Sequence, residues 1–237
     1  MITIITVTKD NRSELFRTLD SFMLQGCKEF EIIVVNGGGE LDLSGYWDSG
    51  IKLRVVRDDG GGIYAAMNIG LDCVDTDQVL FINAGDELAD EGVIESLKTL
   101  EEKQKIIIGG TAVIGRRWEW RLGTKIPCHN SMVFPKSPIR YDTSLKVFAD
   151  GKFIDENNAE FQSVKTETYI SRFHLGGVSN RDSWRLVAAN FKEKGMLAGL
   201  RSFIRAGLTY WLGERARYII YLLKGVRGSS IAEFYQS

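Results

Sequence analysis

The stretch ITIITVTKDN, residues 2–11, decides the fold class. Its first seven residues, Ile2–Thr8, are all β-branched, which is typical of a strand buried on both faces. Polar residues follow, and either Asn11 or Ser13 can cap a helix that runs to about Leu24. A buried strand followed directly by a helix is the first unit of a parallel α/β sheet.

The same alternation continues through the first hundred residues. One further helix is predicted at Ile63–Val74, and three further buried strands are predicted at Phe30–Val35, Ile51–Val56 and Val79–Asn83. Ligands of open α/β sheets bind beyond the carboxyl ends of the strands. Here all four ends are polar and three of them contain glycine: Thr6–Asp10, Asn36–Gly39, Arg57–Gly62 and Asn83–Asp86. We therefore predict a ligand site at this edge of the sheet.

Beyond Leu100 the pattern changes. Strands are predicted at Lys105–Ile114 and Thr166–Phe173, with irregular segments between them. From Met196 onward the chain is apolar at helical spacing and basic, with six Lys or Arg against a single Glu between residues 196 and 228. This stretch can lie in an anionic membrane interface, or it can pack against the rest of the chain or a second subunit.

Composition excludes several classes of protein. The 30 basic and 31 acidic residues leave a net charge of -1, so no electrostatic footprint for nucleic acid is present. The three cysteines are few and widely spaced, which excludes a disulfide framework and a cysteine zinc site and fits a reducing compartment. The first residues do not resemble a signal peptide, and no uncharged run approaches the ~20 residues of a membrane span. We expect a cytoplasmic protein.

The segment VLFINAGDEL, residues 79–88, carries the clearest chemistry. A buried strand runs into a turn in which the small residues Ala84 and Gly85 let an anionic ligand approach the backbone. Asp86 then offers carboxylate oxygens, which Mg²⁺ and Mn²⁺ prefer. A divalent cation there would neutralise a diphosphate leaving group. The alternative is a plain turn with a helix-capping aspartate.

The segment DDGGGIYAAMNIG, residues 58–70, is a glycine loop that opens a helix. Such a loop suits phosphate binding, but its spacing matches neither the dinucleotide fingerprint nor a P-loop.

Seven segments occur in an order that resembles family-2 glycosyltransferases, most closely the short enzymes of bacterial surface-polysaccharide assembly. They are ITIITVTKDN, EIIVVNGGG, GGGIYAAMN, LFINAGDEL, PCHNSMVF, YDTSLKVFAD and FHLGGVSN. The resemblance implies a GT-A fold, which is a Rossmann-like α/β domain with a mostly parallel central sheet. It also implies inverting transfer of a sugar from a nucleoside diphosphate, with a divalent cation, Mn²⁺ or Mg²⁺. The expected catalytic domain is 1–180, with a nucleotide-binding half 1–100 and an acceptor-binding half 101–180, followed by a helical extension 181–237.

The resemblance further implies which residues bind the nucleotide sugar. They follow the strand ends and the start of the second helix: Thr6, Val7, Thr8, Asn36, Asp58, Asp59, Gly62, Met67, Asn68, Asn83, Ala84 and Gly85. Either Asp58 or Asp59 matches the acidic position before the glycine loop. Asn36 stands where the family commonly has an aspartate that contacts the base, and Ala65 replaces another aspartate.

The same comparison implies the reacting groups. Asp86 matches the last residue of the metal motif, and His174 lies in the segment that matches a loop closing over the diphosphate, as a second phosphate or metal contact. Asp150 matches the general base, and His129, which Asn130 follows, matches a position near the donor sugar or acceptor. From the residues alone, Asp150 can equally be a surface carboxylate, and His129 a structural histidine.

Two functions remain open at this stage. The first is a transferase that acts on a glycan or polyprenyl-diphosphate-linked acceptor, peripheral to the inner face of the cell membrane and using a UDP-sugar. The retained Asp86 and Asp150 favour it. The second is a non-catalytic nucleotide-sugar-binding partner of a polysaccharide assembly complex, which Asn36 and Ala65 favour. A nucleotidyltransferase fits poorly, because the N-terminal segment lacks a glycine-rich loop ending in Arg or Lys.

Overall fold

The computed structural model describes residues 1–115, 118–124, 128–145, 148–174 and 228–230, together with residues 192 and 196. The chain divides into two compact units. The first comprises Met1–Ala112 and Gly123–Phe173, and the second comprises Val113–Leu122 and His174–Ser237. Most of the expected helical extension, 181–237, lies outside the described residues.

Ten strands are described: β1 (Ile2–Thr8), β2 (Phe30–Asn36), β3 (Lys52–Arg57), β4 (Gln78–Phe81), β5 (Glu87–Leu88), β6 (Ile106–Ile114), β7 (Trp118–Leu122), β8 (Met132–Pro135), β9 (Ser163–His174) and β10 (Gly228–Ser230). The helices are α1 (Arg12–Met23), α2 (Ile63–Asp72), α3 (Val93–Thr99) and α4 (Ala149–Glu160). Short 3₁₀ turns occupy Ser44–Tyr46 and His129–Ser131.

The sheet of the first unit has the strand order β6-β8-β4-β1-β2-β3. Strand β1 is parallel to β2 and to β4, and β2 is parallel to β3. Strand β8 is antiparallel to both β4 and β6, while β9 pairs with β6 and with β5. The parallel part of the sheet thus matches the four strands predicted from the first hundred residues. In the second unit, β7 and β10 form an antiparallel pair.

Both faces of β1, β2 and β4 are covered, as expected for buried parallel strands. The prediction of a buried strand is wrong for β3, which is partly exposed because it lies at the edge of the sheet and alternates charged with apolar residues. Along β1, Ile4 faces a core that includes the buried side chains of α1 and α3. Its neighbour Ile5 faces the opposite core, which contains side chains of α2 and α4. Helix α2 packs closely on the strands, because a β-carbon on Gly70 would lie 2.6 Å from the Ile5 side chain. The strand ends are therefore held on a rigid three-layer frame.

The prediction of irregular structure between Ile114 and Thr166 is wrong for β8 and α4. Helix α4 escapes sequence reasoning because only Ala149, Phe153 and Asn157 of its twelve residues are buried. No capping side chain marks its start either, since Phe148 precedes it in a left-handed conformation with φ 68°. Within the described residues, no helix is long and apolar enough to cross a membrane.

Candidate active site at the carboxyl ends of the parallel strands

Thr18 of α1 holds the turn that carries Asp86. The Thr18 hydroxyl accepts a hydrogen bond from the Gly85 N–H (2.9 Å) and donates to the Asp86 carbonyl (2.6 Å). Gly85 has φ 105°, a conformation that favours glycine. Asp86 itself is only 7% exposed. The turn after β4 is therefore tied to α1 before any ligand arrives.

The end of β1 is joined to the loops on both sides of it. The Val7 carbonyl accepts a hydrogen bond from the Ala84 N–H (3.2 Å), and the Thr8 carbonyl accepts one from the Gly37 N–H (2.9 Å). The Thr6 hydroxyl is fully buried, with no hydrogen-bond partner in the part of the chain that the structure describes.

Asn36, the last residue of β2, organises its own loop. Its Oδ1 accepts a hydrogen bond from the Gly38 N–H (2.9 Å), and its Nδ2 donates to the Gly39 carbonyl (2.8 Å). A carboxylate has no N–H to donate to Gly39. Asparagine at this position therefore supports a loop that an aspartate would leave one hydrogen bond short.

Gly38 lies directly against Asp10, in the loop after β1. A β-carbon on Gly38 would lie 2.4 Å from Asp10 Oδ1 and 2.6 Å from the Asp10 backbone nitrogen. Asp10 Oδ1 accepts a hydrogen bond from the Gly39 N–H (3.1 Å), and Arg57 donates to the Gly38 carbonyl (2.7 Å). The loops after β1, β2 and β3 therefore form one packed group.

The two acidic residues before the glycine loop have different surroundings. Asp58 is 9% exposed. Its backbone N–H donates to the Asn36 carbonyl (3.0 Å), and its Oδ1 accepts a hydrogen bond from the Gly60 N–H (2.9 Å). Asp59 is exposed. Of the two, Asp58 lies within the packed loops.

Helix α2 contributes structure as well as position. Gly62 precedes it with φ 93°, and Met67 is 3% exposed within the core. The side chain of Asn68 clamps the backbone of Tyr141: its Nδ2 donates to the Tyr141 carbonyl (2.9 Å), and its Oδ1 accepts from the Tyr141 N–H (2.8 Å). Asn68 therefore acts on the site through Tyr141.

Tyr141 is the centre of an aromatic cluster. Its ring stacks on Phe153 of α4, with centroids 4.2 Å apart and an interplanar angle of 9°, and Phe81 of β4 meets it edge-on at 5.4 Å. Its hydroxyl forms a hydrogen bond with His129 Nε2. The aromatic cluster comprises Tyr64, Phe81, His129, Phe134, Tyr141 and Phe153.

Burial among the surrounding rings keeps His129 uncharged at neutral pH. Part of the residue remains accessible, but burial of the imidazole lowers its pKa to about 4, against a smaller opposing effect of Asp150. Burial, and then the charge of Asp150, raises the pKa of Tyr141 well above 10. At neutral pH the imidazole is neutral and the phenol keeps its proton.

Asp150 lies in the first turn of α4 and is half-buried. It precedes Phe153 by three residues, so the stack of Phe153 on Tyr141 also fixes the turn that carries Asp150. The rings of His129 and Phe153 lie 6.1 Å apart, so the first turn of α4 and the 3₁₀ turn that carries His129 meet at the aromatic cluster.

The pKa of the Cys128 thiol, one residue before His129, is shifted upward. Burial raises the pKa of its thiol, a hydrogen bond with Thr111 lowers it, and the charges of Asp86 and Asp150 each raise it further. The ring of Phe81 in β4 lies 5.0 Å from that of His129 and 6.0 Å from that of Phe153 in α4, between centroids. The end of β4 and the start of α4 therefore meet at the aromatic cluster.

Two asparagine side chains each have one buried atom with no hydrogen-bond partner among the described residues: Oδ1 of Asn83 and Nδ2 of Asn130. Asn130 is 9% exposed. Asn83 follows β4, and Asn130 follows His129 in the 3₁₀ turn before β8.

The donor groups suit a cation that is shared with a phosphate ligand. Among the described residues, no three His, Cys, Asp or Glu side chains group as metal ligands. Mg²⁺ is commonly held by one or two carboxylates, with phosphates and water completing its shell, and Asp86 fits that arrangement. His174 is the last residue of β9 and belongs to the second unit. The loop expected after it lies outside the described residues.

A separate groove of about 800 Å³ is lined mainly by residues 158–163, with Ile108, Thr124 and Lys165. None of these is a predicted site residue, so the groove and the strand-end site are distinct.

Sequence reasoning missed several residues that shape the site. Thr18 lies in the middle of α1, Asp10 and Arg57 act on a loop far along the chain, and Tyr141 follows an irregular segment. Each works through a partner at least 19 residues away. One of these residues, Tyr141, could have been found from sequence, because it begins the segment YDTSLKVFAD that resembles the family and ends at Asp150.

Comparison with known proteins shows the family of the chain. The family model described as Glycosyl transferase family 2 matches residues 3–154. The chain is 28% identical over 203 aligned positions, covering 76% of this chain and 79% of the relative, to a PGL/p-HBAD biosynthesis glycosyltransferase of Mycobacterium bovis (strain BCG / Pasteur 1173P2). A relative of the same description and the same figures occurs in Mycobacterium tuberculosis (strain ATCC 25177 / H37Ra).

Solved structures share the fold at low identity. The S. aureus TarS 1-349 complex with UDP has a TM-score of 0.62 at 15% identity, covering 79% of this chain and 63% of that one. The mannosyltransferase PcManGT from Pyrobaculum calidifontis, in complex with GDP-Man and Mn²⁺, has a TM-score of 0.56 at 14% identity, covering 94% of this chain and 75% of that one. The expected GT-A α/β fold class is confirmed.

Proposed function

Because the chain belongs to glycosyl transferase family 2, we propose that it transfers a sugar from a nucleoside diphosphate, a UDP-sugar, to an acceptor hydroxyl with inversion. The acceptor is a glycan or a polyprenyl-diphosphate-linked oligosaccharide of polysaccharide assembly. The names of the relatives support biosynthetic glycosyl transfer, and the solved neighbours bind UDP, UDP-GlcNAc and GDP-Man.

The observation that carries this proposal is the packing of Phe81 in β4 against His129 and against Phe153 of α4, which brings the strand that leads to Asp86 and the helix that begins with Asp150 to one aromatic cluster. Sugar transfer needs a group that manages the departing diphosphate and a base that takes the acceptor proton. Asp86 lies at the end of a parallel strand, where α/β sheets bind nucleotides. Asp150 comes from a different element, α4, so each carboxylate can do separate work within one site.

In the proposed reaction the packed loops after β1, β2 and β3 hold the nucleoside. Asp150 removes the proton from the acceptor hydroxyl as that oxygen attacks the anomeric carbon. Neutral His129, fixed by Tyr141, offers or accepts a hydrogen bond without adding positive charge beside the base. The aromatic cluster excludes water that would otherwise hydrolyse the donor.

Asp86 would hold the divalent cation together with the diphosphate oxygens. When bound, the cation stabilises the negative charge that develops on the leaving nucleoside diphosphate. His174 is proposed as a further contact to the phosphate or the metal, and that role rests on the sequence resemblance.

Location follows from the same proposal. An acceptor carried by a polyprenyl diphosphate lies at the inner face of the cell membrane, where the basic, aromatic stretch from Met196 onward would make peripheral contact. This contact rests on the sequence of residues 196–228.

A non-catalytic nucleotide-sugar-binding subunit is the second candidate. The observation that favours it is Asn36, whose amide is occupied within its own loop. Such a subunit would bind donor sugars and leave them intact.

The test is binding and slow hydrolysis of UDP-, GDP- and dTDP-sugars with Mn²⁺. We expect one donor to bind and to release its nucleoside diphosphate slowly. Asp48→Ala, at an exposed aspartate, is the matched control for alanine variants of Asp86 and Asp150. Binding without hydrolysis and without transfer would support the second candidate, and absence of binding would overturn both.

A further inference from the structure

The hydrogen bond between the Tyr141 hydroxyl and His129 Nε2 can be made in two ways. Either the phenol donates to a bare Nε2, or a protonated Nε2 donates to the phenol oxygen. A neutral imidazole carries one hydrogen, so the first arrangement places it on Nδ1 and the second places it on Nε2. The two arrangements therefore give the site a histidine of opposite hydrogen-bonding capacity.

The surroundings hold both rings in place. Tyr141 is 3% exposed, its backbone is clamped by Asn68, and its ring stacks on Phe153. The His129 ring packs against that of Phe81, with centroids 5.0 Å apart. Within the described residues, the bond between Tyr141 and His129 is the one hydrogen bond that either side chain makes.

The buried phenol decides between the two arrangements. If Nε2 of His129 donated, the phenol hydrogen of Tyr141 would need another acceptor, and no described residue supplies one. A buried hydroxyl hydrogen without an acceptor is costly. If the phenol donates instead, the unpaired hydrogen lies on His129, part of which is accessible to a ligand. Donation by the phenol is therefore the more stable arrangement.

Both groups keep the protonation state that this arrangement needs. Burial, and then the charge of Asp150, raises the pKa of Tyr141 well above 10, so the phenol retains its hydrogen at neutral pH. Burial of the imidazole lowers the pKa of His129 to about 4, so Nε2 can remain bare. The same pH range therefore supports a phenol donor and an imidazole acceptor.

We propose that Tyr141 is a positioning residue that keeps His129 in the tautomer with its hydrogen on Nδ1. His129 then presents an N–H donor to the site, so the substrate atom that it meets is an oxygen with a free lone pair. Hydroxyl, ring and bridging oxygens of sugars supply such atoms. The tautomer follows from the two side chains alone, whereas its use in catalysis rests on the proposed function.

This tautomer suits the role proposed for Asp150. A bare imidazole nitrogen turned to the substrates would be a second acceptor for the hydrogen of the attacking hydroxyl, in competition with the carboxylate. An N–H group cannot take that hydrogen. Tyr141 thus leaves Asp150 as the one base of the pair and makes His129 a donor.

The test is NMR of the full chain with ¹⁵N-labelled histidine at neutral pH. The chain has two histidines, His129 and His174, and His129→Phe identifies the signals of His129. Protonated and bare ring nitrogens differ in chemical shift, and Nε2 couples strongly to both carbon-bound ring hydrogens whereas Nδ1 couples strongly to one. In wild type we expect a bare Nε2, with the Nδ1-protonated tautomer in about tenfold excess over the other.

Tyr141→Phe removes the hydroxyl and keeps the ring that stacks on Phe153. Because Nε2 loses its donor, the excess of the Nδ1-protonated tautomer should fall at least about fivefold. Donor hydrolysis at saturation should be about tenfold slower, with the donor Kd within about twofold of wild type.

The matched control is Tyr64→Phe. It removes the same group from the neighbouring ring, which stacks on Tyr141 at 5.7 Å, and it should leave the tautomer ratio of His129 as in wild type. Thermal unfolding checks that both variants are folded.

A wild-type spectrum with the hydrogen on Nε2 would overturn the inference without any variant. A ratio that Tyr141→Phe keeps, or that Tyr64→Phe lowers as much, would also overturn it, because the Tyr141 hydroxyl would then not set the tautomer. Unchanged hydrolysis in Tyr141→Phe despite a lower ratio would overturn the role in catalysis. If wild type neither binds nor hydrolyses a nucleotide sugar, the proposed function fails, and the spectra still decide the tautomer.

Discussion

The loops that follow β1, β2 and β3 are held by their own polar groups, whereas the region around His129 is held by packed rings. Asn36, Asp58 and Asp10 each hydrogen-bond to backbone N–H groups of the loops. In the other region, Tyr141 stacks on Phe153 and hydrogen-bonds to His129.

This difference indicates that the two regions have different functions. Loops whose backbone groups are hydrogen-bonded to their own side chains keep a fixed shape at the strand ends, where α/β sheets bind ligands. A pocket of aromatic rings keeps water away and shifts the pKa of the groups inside it. We infer that the first region binds the nucleoside and that the second performs proton transfer. Substitutions in the two regions should therefore have different effects.

The largest effect is expected in the aromatic region, at the proposed base. Asp150→Asn should lower turnover by about 10³-fold, in line with the loss of a general base. Donor affinity should stay close to that of wild type, because Asp150 lies on α4 and outside the strand-end loops. The measurement is nucleotide release at saturating donor, together with the donor Kd.

The control for that change is Asp155→Asn, an exposed carboxylate on the same helix, which should behave as wild type. Equal turnover in Asp150→Asn and wild type would mean that the base lies elsewhere.

The pKa of His129 yields the next prediction. Its folded value of about 4 lies below the value of 6.5 for a free imidazole, so the unfolded chain binds the proton more tightly. Stability from the neutral ring is present above pH 6.5 and is lost as the pH falls towards 4. Between pH 7 and pH 4, wild type should lose about 3 kcal/mol more free energy of unfolding than His129→Phe.

Urea denaturation at several pH values measures this difference, and comparison with the variant cancels the titration of the carboxylates. Parallel pH curves for the two proteins would show that burial does not hold His129 neutral.

The smallest effect concerns the packed loops. Gly38→Ala would place a β-carbon 2.4 Å from Asp10 Oδ1 and 2.6 Å from the Asp10 backbone nitrogen, so the loop must shift. We expect a loss of about 2 kcal/mol in the free energy of unfolding, typical of overpacking.

Gly39→Ala is the matched control, since a β-carbon there meets nothing within 4 Å. Its free energy of unfolding should stay within about 0.5 kcal/mol of wild type, as for an ordinary surface substitution. If the two alanine variants are equally stable, the loops after β1 and β2 are not packed together as described.

The same contrast explains what could be predicted from sequence. Strand β1 and the turn at Asp86 were predicted because β-branched runs, glycines and acidic residues are local signals. The family resemblance then selected Asp150. Helix α4 was missed because its sequence, ADGKFIDENNAE, shows a weak apolar pattern and no cap.

Tertiary partners account for the rest. In the sequence Thr18 is an ordinary helix residue. In the structure its hydroxyl forms hydrogen bonds with the backbone of Gly85 and Asp86. Nucleotide-sugar binding by Asn68 stays a prediction, and the structure adds that both of its amide atoms bond to the backbone of Tyr141, 73 residues away. No local pattern encodes such a contact.

The most direct test of the central claim is the metal dependence of nucleoside diphosphate binding. UDP affinity should be measured with Mn²⁺ and with EDTA for wild type, Asp86→Asn and Asp150→Asn. We predict that Mn²⁺ strengthens binding at least about tenfold in wild type and in Asp150→Asn, and that it has no effect in Asp86→Asn. Equal metal dependence in all three proteins would contradict the assignment of Asp86 to the diphosphate and its cation, and with it the division of work between the two carboxylates.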